Sequence, residues 1–167
     1  MNKQLTINNL QFTNKKTRGF TLIELLVVIS IIGILAALAL ASFTTAQKQA
    51  RDTGRKSDLK QYQTALEAFA GKTGSGLYPS TEGGNGLITS GLCTLLGISN
   101  TCPQDPKTGT YDYHYVTNGT GSLNVDASEY ILSAYLEGSS NYFILCSNGK
   151  AGTFATQPGG GDLPCPI

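Results

Sequence analysis

The sequence predicts an α+β fold, in which a long N-terminal helix with a membrane-spanning first half packs on a small antiparallel β-sheet. Three observations predict it. Residues 20–43 are largely apolar and carry a single charge, one carboxylate. Residues 44–70 lack proline and repeat apolar side chains at helical spacing. Residues 110–147 alternate as short strands do, with turn residues between them. The predicted divisions are a cleaved basic leader at 1–19, a transmembrane helix at 20–43, its amphipathic continuation at 44–70 and a globular head at 71–167.

Charge is distributed unevenly along the 167-residue chain, whose formal net charge is +1. The leader carries four cations and no acid, residues 44–60 carry five cations against two acids, and residues 61–167 carry three cations against eight acids. Basic residues before an apolar span place the N-terminus in the cytoplasm and the rest outside. Because the outer part is acidic and would repel phosphates, no nucleic-acid partner is predicted.

The apolar segment 20–43 is long enough to cross a bilayer as a helix, at about 1.5 Å per residue. It exceeds the roughly 7–15 residues of an ordinary secretory signal and lacks the cleavage site that would follow one. Hydropathy alone fits an uncleaved membrane anchor equally well.

Glu24 is the one charged residue of this segment. A carboxylate at the centre of a membrane helix costs roughly 2.5–3.5 kcal/mol, and one nearer the edge costs less. Residues 20–47 contain no cation to pair with it. The partner must come from another molecule, or from the α-amine that cleavage between Gly19 and Phe20 would create.

The sequence RGFTLIELLVVI at residues 18–29 resembles the prepilin signal of type IV pilins and type II secretion pseudopilins. The resemblance implies cleavage after Gly19 by a prepilin peptidase, N-methylation of Phe20, and pairing of Glu24 with the Phe20 amine of an adjacent subunit. Small side chains in the segment would allow helices to approach closely in a filament core. Many pilins have a proline near the end of this segment; here it is absent, so we expect a helix less prone to unwind between Gly33 and Ser42.

The resemblance implies a structural subunit, a type IV pilin that polymerises through its N-terminal helix into an extracellular pilus. A pseudopilin of a type II secretion or competence system is the near alternative. A membrane-anchored extracellular binding domain or enzyme is the alternative of a different class. The implied partners are further copies of this chain, other pilins, the prepilin peptidase/methyltransferase, the pilus assembly platform and, before assembly, membrane lipid. The precursor would be a single-pass protein of the cytoplasmic membrane, and the filament would lie on the cell surface.

The helix is predicted to continue to Ala70, where Gly71, Gly74 and Gly76 follow. Its apolar stripe would pack on the head and consists of Leu59, Tyr62, Leu66 and Phe69. The cations between residues 48 and 60 predict a solvated helix face in contact with lipid headgroups. A second interpretation has them pack against the acidic heads of neighbouring subunits.

The head is predicted to contain a loop at 71–109, a sheet at about 110–147 and a C-terminal loop at 148–167. The expected strands are Thr110–Thr117, Glu129–Glu137 and Tyr142–Ser147, with a further short strand near Thr153–Thr156. Two short segments, at residues 77–87 and 102–113, resemble the regions of major pseudopilins that follow the long helix and enter the sheet.

Four cysteines in an exported head allow three disulfide pairings. We favour Cys93–Cys102 and Cys146–Cys165, each worth on the order of 3 kcal/mol by chain entropy. The second bond would close the C-terminal loop and complete the predicted fold class. Such a loop resembles the D-region of type IV pilins.

No catalytic site is predicted, and the chain is expected not to be an enzyme and to need no cofactor. The single histidine, His114, lies in a predicted strand between tyrosines, and no Ser-His-Asp spacing or carboxylate pair accompanies it. Asp105 and Asp112 are weak calcium candidates, because no segment has the oxygen-ligand spacing of a calcium loop. No metal site is therefore predicted.

Overall fold

The computed structural model describes residues 19–81, 85–88, 90–98 and 102–167. Most of the predicted leader, residues 1–18, and residues 82–84, 89 and 99–101 lie outside the described residues. The chain divides into two compact units between Ala41 and Ser42. The first contains the apolar segment, and the second contains the head with the helical residues that pack on it.

Helix α1 runs over Leu22–Thr73. It begins two residues after the predicted start and ends three residues after the predicted end at Ala70. Gly71 lies within the helix, so it is not a stop signal. The helix ends at Gly74, whose φ of +68° is the left-handed conformation that glycine adopts without strain.

Among its described residues, the head contains seven strands, one short α-helix and a 3₁₀ turn at Gly160–Asp162. The strands and the α-helix are β1 Tyr78–Pro79, β2 Asn85–Leu87, α2 Ser90–Leu95, β3 His114–Thr117, β4 Val125–Ala127, β5 Tyr130–Leu136, β6 Asn141–Cys146 and β7 Ala151–Phe154. Five strands form an antiparallel sheet in the order β2-β3-β5-β6-β7, and β1 pairs with β4. The antiparallel sheet is confirmed. The segment predicted as a loop at 71–109 contains β1, β2 and α2. β7 overlaps the further short strand expected near Thr153–Thr156 and begins two residues earlier. β3 starts at His114, four residues later than expected, and residues 106–110 form turns.

One face of the sheet packs on α1. Leu59, Tyr62 and Leu66 are fully buried there, as predicted. The fourth buried position is Ala70, whereas Phe69 is only partly buried. The sheet contributes the other half of this core, mainly Tyr113, Tyr115, Tyr130, Leu132, Ala134 and Leu145.

The other face of the sheet has a second, smaller core made by Val116, Ile131, Ile144 and Cys146. It is covered by the C-terminal segment 155–167, here called the strap, through Leu163, Cys165 and Ile167. The Cys146–Cys165 disulfide fastens the strap to β6, so the C-terminal region is closed as predicted. Cys93 and Cys102 are also bonded and join α2 to the segment that follows it.

A buried group of charges connects the turn of α1 at residues 51–55 to the end of β5 and to residues 105–107. This end of the head is here called its lower end. This ionic cluster consists of Arg51, Asp52, Arg55, Asp105, Lys107 and Glu137. At its centre the Arg55 side chain is fully buried, with nitrogens 2.6 Å from Asp105 Oδ2, 2.8 Å from Asp52 Oδ1 and 2.9 Å from Glu137 Oε1. The prediction of a solvated cationic face is therefore wrong for this residue. The expectation also fails for Arg51, which forms a two-pronged pair with Glu137 at 2.7 and 2.8 Å.

Candidate processing and assembly site

The residues that flank the predicted cleavage point precede the first helical turn. Gly19 and Phe20 are non-helical and exposed, and the Phe20 side chain is 83% exposed. A peptidase needs an extended, accessible segment. The Gly19–Phe20 bond lies outside the helix, so it can be cleaved without unfolding of the helix.

The helix starts with a reciprocal cap between Thr21 and Glu24. The Thr21 backbone N–H and hydroxyl donate to Glu24 Oε2 at 2.8 and 2.7 Å, and the Glu24 N–H donates to Thr21 Oγ1 at 3.3 Å. This is the capping-box arrangement, in which each residue satisfies a backbone N–H that the helix leaves free. The Thr-x-x-Glu spacing at residues 21–24 is the local sequence signal of this cap.

The carboxylate of Glu24 is therefore solvated by its own helix terminus. No cation of the described residues forms an ion pair with it. Its negative charge also lies at the positive end of the helix dipole, which is favourable by about 0.3–1 kcal/mol. The cap thus lowers the free-energy cost of placing a carboxylate in an apolar segment. Its donors are neutral, so the carboxylate still lacks a positively charged partner.

The helical turns after the cap expose their apolar side chains on every face. All described side chains between Phe20 and Phe43 are exposed, and the large apolar ones are between 47% and 83% exposed. By length and composition, this segment could cross a membrane. The Ser30 hydroxyl donates to the Leu26 carbonyl at 2.8 Å, so this polar side chain is satisfied within the helix. An apolar surface of this extent requires lipid or other helices around it.

The residues considered for metal binding or catalysis do not come together. Asp105 is held by Arg55, so its charge is already compensated. His114 is half-buried on the strap side, with Nδ1 2.9 Å from Gln157 Nε2. Burial lowers the pKa of His114, and the charge of Asp112 partly opposes this shift. Within the described ranges, no three His, Cys, Asp or Glu side chains form a group that could hold a metal ion.

Comparison with known proteins places the N-terminal signature in a defined family. Residues 14–40 match the prokaryotic N-terminal methylation motif. The type IV major fimbrial protein FimA of Dichelobacter nodosus is 31% identical over 116 residues, which cover 66% of this chain and 70% of that protein. The type II secretion system core protein G of Pectobacterium carotovorum subsp. carotovorum is 34% identical over 119 residues, covering 66% of this chain and 74% of that protein.

The alignments with other relatives are shorter. The type IV major pilin protein PilA of Myxococcus xanthus is 46% identical over 56 residues, and the chain spans only 26% of that protein's length. For the core protein G of Pseudomonas aeruginosa the alignment spans 48% of the relative. No solved structure matches the chain.

Proposed function

Because the chain belongs to the family of type IV pilins and type II secretion pseudopilins, we propose that it is a pilin whose N-terminal helix polymerises into an extracellular pilus. The observation that carries the proposal is the apolar segment of α1, which is exposed on every face. Lipid would surround this segment before assembly, and the helices of other subunits would surround it afterwards. In this role the chain is structural and has no catalytic activity.

The proposal includes processing before assembly. A prepilin peptidase/methyltransferase removes residues 1–19 at the cytoplasmic face of the membrane and methylates Phe20. The new amine of Phe20 then pairs with Glu24 of an adjacent subunit at the assembly platform. The exposed Gly19–Phe20 bond and the methylation motif at 14–40 support this order of events.

Intact-mass measurement of the chain on surface filaments tests the processing step. We expect a mass that lacks Met1–Gly19 and carries one additional methyl group. Surface-exposed chains that retain the leader would contradict the proposal and favour a simple membrane-anchored binding domain.

Substitution at Glu24 tests the assembly step. Glu24→Gln keeps an acceptor for the Thr21 cap but removes the charge, whereas Glu24→Ala removes both. We expect both variants to insert into the membrane and neither to enter filaments. Ser30→Ala is the matched control, because it removes a polar group whose hydrogen bond stays within the helix. Normal filament yield from Glu24→Gln would refute charge pairing.

A type II secretion pseudopilin is the second candidate. It is favoured by the alignments with core protein G, which cover 74% of the Pectobacterium protein and 82% of the Klebsiella michiganensis protein. Deleting the chain decides between the two candidates. Loss of surface filaments with intact protein secretion supports the pilin, and loss of secretion with intact surface filaments supports the pseudopilin.

A further inference from the structure

The head has two chemically different ends along α1. The lower end contains the ionic cluster, where Glu137 meets Arg51 and Arg55. The upper end lies beside Glu67, which accepts a hydrogen bond from Tyr130 at 2.7 Å. These helix positions are 12 to 16 residues apart, or about 18–24 Å at the helical rise.

Three tyrosines at the lower end differ from the other tyrosines of the chain. Five of the eight tyrosines donate their hydroxyl to an acceptor within the head. The hydroxyls of Tyr111, Tyr135 and Tyr142 have no partner among the residues that the structure describes, and the three rings contact one another. The Tyr111 and Tyr135 rings are stacked at 4.6 Å, and Tyr142 meets Tyr135 edge-on at 5.4 Å.

This group, here called the tyrosine ladder, has the properties of an interface. Its three rings are partly exposed, and the Lys107 ammonium lies 5.9 Å from the centre of the Tyr111 ring. This ammonium is paired with Glu137 Oε2 at 2.6 Å, so the donors that the surface offers are the three phenol hydroxyls. Tyrosine is enriched in protein interfaces because it supplies a large rigid surface together with a polar tip.

The upper end carries a cleft of about 630 Å³. Its lining combines backbone and small polar groups with three strap residues, and includes Thr117, Asn118, Gly119, Glu129, Leu163 and Pro164. The Glu129 side chain is partly exposed, and within the described part of the chain its carboxylate has no hydrogen-bond or ion-pair partner. An acceptor with a full negative charge thus lies in an open cleft.

The ladder and the cleft lie on the same side of the sheet. Tyr135 and Tyr142 project from β5 and β6 on the face that bears Ile131 and Ile144, and Tyr142 packs against that core. The strap covers this face and contributes Leu163 to the cleft. One side of the head therefore has unpaired hydroxyl donors at its lower end and an unpaired carboxylate at its upper end.

We propose that the tyrosine ladder of one copy docks into the upper cleft of the next copy. The phenol hydroxyls of the ladder donate to the Glu129 carboxylate, which accepts no hydrogen bond from the described residues of its own head. Because the two surfaces differ, the contact is head-to-tail, and repeating it produces an open filament instead of a closed dimer. This inference rests on the proposed polymerisation and specifies how the heads contribute to it.

Photo-crosslinking within assembled filaments tests the contact. A benzophenone amino acid replaces Tyr135, and the crosslinked peptides are identified by mass spectrometry. We expect intermolecular crosslinks to residues 117–121 or 160–164 of a second copy. The same probe at Gln61, on the exposed helix surface, should not reach those residues. Filaments whose Tyr135 probe reacts with any other region, or with none, would overturn the proposal.

A second measurement does not require the filament to accept a benzophenone amino acid. The triple variant Tyr111→Phe, Tyr135→Phe, Tyr142→Phe keeps the rings and loses no hydrogen bond within the described head. We expect wild-type folding but a concentration for polymerisation raised about tenfold or more, because donors to a charged acceptor are lost. Glu129→Gln should act in the same direction. Unchanged polymerisation of both variants would refute the contact alone, whereas a wild-type chain that never polymerises would refute the proposed function itself.

Discussion

Replacing Arg55 by methionine should destabilise the head by about 3–5 kcal/mol, the usual result of removing one partner from a buried ion pair. Methionine fills most of the space but cannot donate to the three carboxylates that Arg55 contacts. Glu137 would keep Arg51 and Lys107, so its charge would stay compensated. The cost arises mainly at Asp105, whose side chain is 0% exposed and would lose its only cation in the cluster.

Urea denaturation of the processed chain in detergent micelles measures this loss. The near-ultraviolet circular dichroism of the tyrosines reports on the head, whereas the far-ultraviolet signal is dominated by α1. Lys48→Met is the matched control, since it removes an exposed cation from the same helix and should change the free energy of unfolding by less than about 0.5 kcal/mol. An Arg55→Met head within about 1 kcal/mol of wild type would refute the reasoning that the cluster depends on this cation.

The cluster also gives the head a defined pH dependence. Hydrogen bonds from Arg51 hold the pKa of Glu137 well below its usual value. Burial opposes this shift, and hydrogen bonds from Lys107 and Arg55 add to it. A carboxyl whose pKa is depressed on folding stabilises the folded state above its unfolded pKa of about 4.3, and this contribution is lost as the pH falls. We therefore expect the wild-type midpoint in urea to fall progressively below about pH 5. A midpoint that is constant from pH 6 to pH 3 would contradict this linkage.

Three further predictions concern the turn, the strap and the apolar helix. Gly119→Ala should cost about 1–3 kcal/mol, because a Cβ there would collide with Asp126 and lie 2.6 Å from Ser80 Cβ; a urea midpoint equal to wild type would contradict it. Replacing both Cys146 and Cys165 by serine should lower the free energy of unfolding by about 2–5 kcal/mol and expose the second core to a hydrophobic dye, and no change in dye binding would show that the strap stays closed without its disulfide. In a filament structure, α1 should remain helical throughout residues 33–42, and unwinding there would defeat the prediction from the missing proline.

The elements that the sequence predicted well are those whose signal is local. The apolar segment after Gly19 reveals its helix by length and composition. The alternation in β5 is periodic, so it reveals both the strand and the face that packs on α1. The stripe that begins at Leu59 follows the same rule. It fails only at its last position, because the final turn rotates Ala70 toward the sheet and leaves Phe69 at the edge.

The elements that the sequence did not predict depend on distant contacts. Arg55 pairs with Asp105 and Glu137, which are 50 and 82 positions away. Its place four residues before Leu59 puts it on the buried stripe, but no local pattern identifies those partners. The strap has no periodicity, because it packs through scattered apolar side chains and a disulfide. The tyrosine ladder was hidden for a similar reason, since its members come from three separate segments.

The cap formed by Thr21 and Glu24 sets the free energy that charge pairing can add at each joint between subunits. Before pairing, the carboxylate already accepts two hydrogen bonds from its own chain. The amine of an adjacent subunit would replace neutral donors by a full positive charge, so the gain is the difference between the two sets of contacts. Surrounding apolar helices would exclude water and strengthen the attraction between the two charges, so the paired arrangement would be favoured although the carboxylate is already hydrogen-bonded.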